Sequence, residues 1–185
     1  MRLGFGIILE DECHNYSRKL ELELCEKFGF CCGLKQSPHI TIKAPFEAEQ
    51  LNPFVDYLEK LAKETSTFEI KLEGFNYFGN NVIFLDVKEN QHLKDLHFKV
   101  LKDLKDKFDI DQNEFEGKNV KFHSTLATSD ITERKFIEAK QYLEKYDPKF
   151  KFTAKTLGIF YDLGEDAGWI IVRRIKLSGS KEALE

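Results

Sequence analysis

The sequence predicts an α+β fold made of two similar lobes, internally duplicated, with antiparallel β-sheets and helices outside them. Three observations carry this. Amphipathic helical stretches are interleaved with short β-rich runs, several of which can pair as hairpins, and that mixture favours antiparallel sheets. The order of elements repeats: helix, strand with His-x-Thr, helix, two strands, then the same again with little residue identity. The two motifs, His39-Ile40-Thr41 and His123-Ser124-Thr125, fall at matching places in the two halves. Lobes that face each other put these strands at the seam. The expected organisation is one domain over 1–185, with lobes of roughly 1–88 and 89–178 and a polar, frayed tail at 179–185.

Each element has its own signal. Residues 3–9, Leu-Gly-Phe-Gly-Ile-Ile-Leu, read as a buried strand. Over 12–28, Tyr16, Leu20, Leu24 and Phe28 recur at helical spacing. Gly29 and Gly33 bracket a loop, Pro38 opens the first motif strand and Pro45 limits it. A second amphipathic helix spans 51–65, with Asn52 as its cap, Pro53 at its first position and Phe54, Leu58 and Leu61 as its stripe. Residues 68–75 alternate as a half-exposed strand, 79–81 (Gly-Asn-Asn) turn, and 82–87 form another strand. A helix over 90–108 turns Leu93, Leu96, Val100, Leu101 and Leu104 inward. A polar loop over 109–119 leads to the second motif strand at 120–128. A helix then runs to about 146 and stops at Pro148. Strands at 152–161 and 169–177 form a hairpin through 162–168.

The chain of 185 residues is long enough for a real core. Its formal net charge of −4 argues against a long nucleic-acid groove, which would leave the domain basic, but allows a small nucleotide or RNA end in a local pocket. The first apolar run is too short for a signal segment and acids follow it at once; no stretch is long enough to span a bilayer. Cys13, Cys25, Cys31 and Cys32 show neither Cys-x-x-Cys nor metal spacing, so reduced thiols in a cytoplasmic protein are expected. The acidic residues show no metal-type clustering.

In a strand, residues i and i+2 share a face. His39 and Thr41 therefore stand together opposite Ile40 and Ile42, and His123, Thr125 and Ala127 stand together opposite Phe122, Ser124 and Leu126. Each strand anchors one face and presents an imidazole beside a hydroxyl on the other. Two histidines and two hydroxyls suit acid–base chemistry on a phosphate. Lys43 falls on the His39 face by the same alternation, either as a phosphate ligand or as a solvated strand end. Trp169, Tyr161, Tyr77 and Phe5 are candidates to stack on a base, with core packing the commoner use of such rings. Arg173 and Arg174 point to opposite faces and read as surface. His14, His92 and His97 are assigned to structure or solvent.

Pro38-His39-Ile40-Thr41-Ile42 and Phe122-His123-Ser124-Thr125-Leu126 resemble the paired signature of the two-histidine phosphoesterase superfamily, which includes 2'-5' RNA ligase-like proteins and cyclic nucleotide phosphodiesterases. The surroundings of the first motif, through Lys43-Ala44-Pro45-Phe46-Glu47, and Asn80-Asn81-Val82-Ile83-Phe84 are most similar to its small bacterial RNA ligase-like branch. The resemblance covers nearly the whole chain. Ser124 stands where the family usually has an apolar residue. The resemblance implies a bilobal fold with both histidines in a central cleft. It also implies a phosphoesterase that uses no metal or other cofactor and acts on a 2',3'-cyclic phosphate or 2'-5' bond of an RNA end or small nucleotide, with reverse ligation. His39 and His123 would be acid and base, with Thr41 and Thr125 donating to the phosphate. A monomer is expected. The rival reading is a module that binds an AMP-like nucleotide or RNA in the same cleft without turnover.

Overall fold

The computed structural model describes residues 1–179. In chain order the elements are β1 (Arg2–Ile8), α1 (Asp11–Phe28), β2 (His39–Glu47), α2 (Asn52–Glu64), β3 (Phe68–Phe78), β4 (Val82–Val87), α3 (Gln91–Phe108), β5 (His123–Thr128), α4 (Glu133–Leu143), β6 (Lys149–Ala154), β7 (Thr156–Asp162) and β8 (Trp169–Lys176). They build two four-stranded sheets, ordered β2-β1-β7-β8 and β5-β4-β3-β6. Every pairing is antiparallel. The motif strands β2 and β5 hold equivalent edge positions and lie against each other across the seam. No helix of the described residues is long and apolar enough to cross a membrane.

The sheets are not consecutive halves of the chain. The first takes β1, β2, β7 and β8 from the two ends and the second takes β3 to β6 from the middle. A lobe boundary near residue 88 therefore does not describe the packing. Helix α1 leaves the first sheet and packs on β5 and α4 of the second, while α3 packs on β2 and α2 on β7 and β8. Each motif strand is thus backed by a helix that is sequence-adjacent to a strand of the opposite sheet.

Several local expectations change for physical reasons. The single strand expected at 152–161 is two strands, β6 on β3 and β7 on β1, parted at Lys155 where the chain crosses between sheets. No Gly or Pro marks that crossing, so the local run reads as continuous. Pro45 does not end β2. The ladder with β1 shifts register between Leu3↔Phe46 and Phe5↔Lys43, and an edge strand tolerates proline at such a bulge. Asn52 is the first residue of α2 rather than its cap, a position that Leu51 takes. Asn90 does cap α3, accepting from Leu93 N at 3.1 Å. The second motif strand begins at His123 rather than 120, where pairing with Asp86 starts. Helix α4 ends at Leu143. Of the tail, Ser178 N donates to Ala62 O at 3.0 Å and Gly179 N to Thr65 O at 3.1 Å; the rest lies outside the described residues.

The cysteines are also corrected. Cys25 and Cys31 form a disulfide with Cα atoms 4.4 Å apart, leaving Cys13 and Cys32 as free thiols. Gly29 closes α1 at φ 79°, a left-handed conformation that turns the chain back over the last helical turn. That reversal delivers residue 31 to residue 25, a proximity that linear spacing does not show.

Candidate active site

The back face of each motif strand decides what its front presents. Ile40 and Ile42 on β2, and Ser124 and Leu126 on β5, have relative exposures of 1% or less. Fully burying an aliphatic side chain contributes about 1.5–3 kcal/mol, so the alternation is pinned. His39 with Thr41, and His123 with Thr125, are left half-buried on the opposite faces. Ser124 Oγ is buried and has no hydrogen-bond partner among the described residues.

The two imidazoles are held alike. His39 Nδ1 is 2.8 Å from Ser37 O and His123 Nδ1 is 2.7 Å from Lys121 O. A carbonyl only accepts, so both Nδ1 atoms carry hydrogen and each neutral ring keeps its lone pair on Nε2. At His39 the Nε2 atom is 3.3 Å from Thr41 Oγ1, which is placed to donate to it. Each ring rests on phenylalanine: His39 on Phe160 at 4.2 Å between centroids, His123 on Phe84 at 4.8 Å and on Phe78 at 5.0 Å.

Burial pushes His39 down to about 4, against the carbonyl of Ser37 that favours its charged form; charge on His123 lowers it further. His123 is also lowered, by burial first and then by Lys121, with its own carbonyl bond and Asp86 opposing. His39 therefore senses charge on His123. Lys121 is itself paired with Asp86, the residue opposite His123 on β4.

Between the sheets lies a cavity of about 450 Å³ whose polar lining includes Gln36, His39, Thr41, Thr125, Thr128 and Ser129. Phe5, Phe160 and Trp169 supply apolar wall. His39, Thr41 and Thr125 thus share one cavity, and His123 stands on the strand that carries Thr125. Lys43 borders the cavity but is 2% exposed, and its Nζ lies 2.8 Å from Glu116 Oε2. Strict alternation fails there because the β2 bulge sends Ile42 and Lys43 both inward. Lys43 is thus neither a free phosphate ligand nor a solvated strand end but half of a buried ion pair.

Of the stacking candidates, Phe5 and Trp169 line the cavity. Tyr77 packs on Phe136 at 5.4 Å, and Arg173 and Arg174 are exposed. The arginine at the cleft is Arg2, with its guanidinium 5.6 Å from the Trp169 ring centroid.

Sequence reasoning missed Glu116 and Gly6 as supports and left His97 between structure and solvent. Glu116 accepts from Lys43 Nζ, Ala44 N at 2.7 Å and Asn113 N at 2.8 Å, tying the 109–119 loop to β2. His97 donates from Nδ1 to Ile42 O at 2.7 Å and accepts Gly117 N on Nε2 at 2.9 Å, a neutral histidine that stitches α3, β2 and that loop. Gly6 lies under His39: a Cβ there would sit 2.9 Å from His39 Cδ2 and 3.2 Å from Phe160 Cε2. No local signal marks Glu116 among its polar neighbours. Gly6 had one, a glycine inside a buried strand, which often permits close approach.

Residues 13–166 match the family model described as the 2'-5' RNA ligase superfamily. The chain belongs to that superfamily. A Geobacillus kaustophilus relative bearing the name "putative phosphoesterase" is 29% identical over 151 residues, which cover 78% of this chain and 80% of that one. Among solved structures, TT0787 of Thermus thermophilus superposes with a TM-score of 0.69 at 17% identity, covering 97% of this chain and 99% of that one. Escherichia coli LigT in complex with 3'-AMP gives 0.55 at 16% identity, covering 96% and 98%. At these identities the likeness is one of fold. It places this 2'-5' RNA ligase superfamily member in the same two-sheet architecture.

Proposed function

We propose that the protein is a metal-independent phosphoesterase that cleaves 2',3'-cyclic phosphate or 2'-5' phosphodiester bonds at RNA ends or in small nucleotides, with 2'-5' ligation as the reverse reaction. The observation that carries the reading is the matched anchoring of His39 and His123, each with Nδ1 bonded to the carbonyl two residues before it. That leaves two Nε2 atoms for proton transfer, one per motif strand. The name of the Geobacillus relative and the 3'-AMP in LigT agree with it.

In hydrolysis one neutral imidazole takes a proton from water as its oxygen bonds to phosphorus. The ester P–O bond breaks, and the other histidine, protonated, gives its proton to the leaving oxygen. Thr41 and Thr125 donate to the non-bridging oxygens, where charge builds as phosphorus becomes five-coordinate. The Thr41 hydroxyl, resting on His39 Nε2 in the free protein, exchanges that partner for phosphate. An anionic substrate also raises the low pKa of its neighbouring histidine, supplying the acid.

The test is cleavage of a 2',3'-cyclic mononucleotide by His39→Ala and His123→Ala. Each should lose on the order of 10²–10⁴-fold in kcat while the circular dichroism stays native. Chelator should leave the native rate unchanged. Full activity in either folded variant removes the mechanism, and tight nucleotide binding without turnover by the native protein moves the reading to a binding module.

A further inference from the structure

The charged groups around the cleft point to a narrower substrate class. The cavity at His39 opens into a second of about 590 Å³, and the two share Arg2, Gln36, Thr128, Ser129 and Trp169. The cations on these linings are already engaged. Lys43 is buried against Glu116, Arg2 Nη1 is 3.2 Å from Asp162 Oδ2, and Lys35 Nζ donates to Glu165 O at 2.6 Å. Lys121, beside His123, is paired with Asp86. Around His39 the donors are therefore neutral hydroxyls and an amide. The outer arm sets Arg2 and Lys35 against three carboxylates, Asp162, Glu165 and Asp166.

We infer that this cleft selects a phosphodiester bearing a single negative charge on a small ligand, and that the loop between β7 and β8 disfavours a substrate whose phosphate chain continues outward. The inference rests on the phosphoesterase reading of the same cleft and narrows it from RNA ends in general to mononucleotide-sized diesters. One negative charge is matched by one imidazolium and several hydroxyls. Each further phosphate in the arm meets a field of its own sign, which opposes both encounter and seating. Trp169 remains available as an apolar wall for the uncharged part of the ligand.

The experiment compares a 2',3'-cyclic mononucleotide with a short RNA oligonucleotide ending in the same cyclic phosphate, at low and at physiological salt. Binding is read separately, from the fluorescence of Trp169, the single tryptophan of the chain, with a 2'-deoxynucleoside 3'-methylphosphate, a singly charged diester with no 2' hydroxyl, and an oligonucleotide ending in the same group. The mononucleotide should have a kcat/KM on the order of tenfold higher. Added salt should raise the oligonucleotide's relative kcat/KM by screening repulsion, opposite to ordinary RNA binding. The double variant Glu165→Gln, Asp166→Asn should bring the mononucleotide-to-oligonucleotide ratio down by about three- to tenfold. An oligonucleotide that is preferred, and whose binding weakens steeply with salt, overturns the charge inference and leaves the phosphoesterase reading standing. Binding of both ligands with cleavage of neither cyclic phosphate sinks the activity reading, while the salt response still decides the charge inference. Failure of both ligands to bind ends both.

Discussion

Gly6 shows how one missing side chain makes room for the ring of another residue. The ring of His39 lies across β1 to reach Phe160, and a methyl group on Gly6 would crowd both rings and the Ile40 carbonyl oxygen, 3.0 Å from it. Gly6→Ala should therefore displace the imidazole while the buried Leu3, Phe5 and Ile7 keep β1 in place. A displacement of about 1 Å at a reacting group costs roughly 10²-fold. Steady-state kinetics should show that loss in kcat, with a melting temperature lowered far less than a core truncation would lower it. On the proposed mechanism Gly6 acts only through the placement of His39, so the affinity for a 3'-nucleoside monophosphate should change less than kcat. Unchanged kcat would mean that His39 has freedom the packing does not suggest.

At the level of elements, two ties hold the loops that frame the cleft. The carboxylate of Glu116 carries the 109–119 loop onto β2 and neutralises Lys43. Removing one partner of a buried pair strands the other charge, at a cost of about 3–5 kcal/mol. Glu116→Gln should show that in urea unfolding. The double variant Glu116→Gln, Lys43→Met should recover much of the loss, because the apolar replacement leaves no orphaned charge. The second tie is the Cys25–Cys31 disulfide, aided by Asp130 Oδ2, which accepts Cys31 N at 2.6 Å and Cys32 N at 2.8 Å. Closing so short a loop stabilises by about 2 kcal/mol in the chain-entropy account. Reduction with dithiothreitol should lower stability by about that much, read as a shift in the urea midpoint at constant slope. The Asp130 contacts should keep the 29–36 segment, and with it Gln36, at the cleft wall, so activity should fall less than stability.

For the whole molecule the lowered histidines couple stability to pH. His39 binds its proton at about 4 when folded and near 6.5 when unfolded. Between those values the unfolded chain holds more protons, so stability falls as pH drops through the window. Lowered pKa values at His123 and His97 act in the same direction. Glu21, raised to about 7 by burial despite Arg18, acts oppositely, favouring the folded state on acidification. Comparing His39→Gln with the native protein isolates one term. The variant should gain on the order of 3 kcal/mol relative to native as pH goes from above 7 to 4. Parallel stability curves would mean that His39 titrates normally.

Much of the site was legible because strand geometry is local. Alternation alone put His39 with Thr41 and His123 with Thr125, and the buried residues between them, Ile40 and Ser124, keep those faces turned as expected. Helices α1 and α3 were legible for the same reason, their apolar periodicity being written within the segment. The run through Lys155 shows where this stops: β6 and β7 are both strand-like with no turn residue between them, and their partners β3 and β1 separate them into different sheets. Lys43 shows it for a single side chain, since a bulge set by pairing with β1 and a carboxylate 73 positions away decided its role. Sequence by itself determined most of the secondary structure, the two motif faces and the antiparallel class, because these depend on periodicity and propensity over a few residues. Tertiary structure alone decided which strands share a sheet, which cations are spent on internal pairs and which cysteines join, because those depend on distances between segments that chain order does not encode.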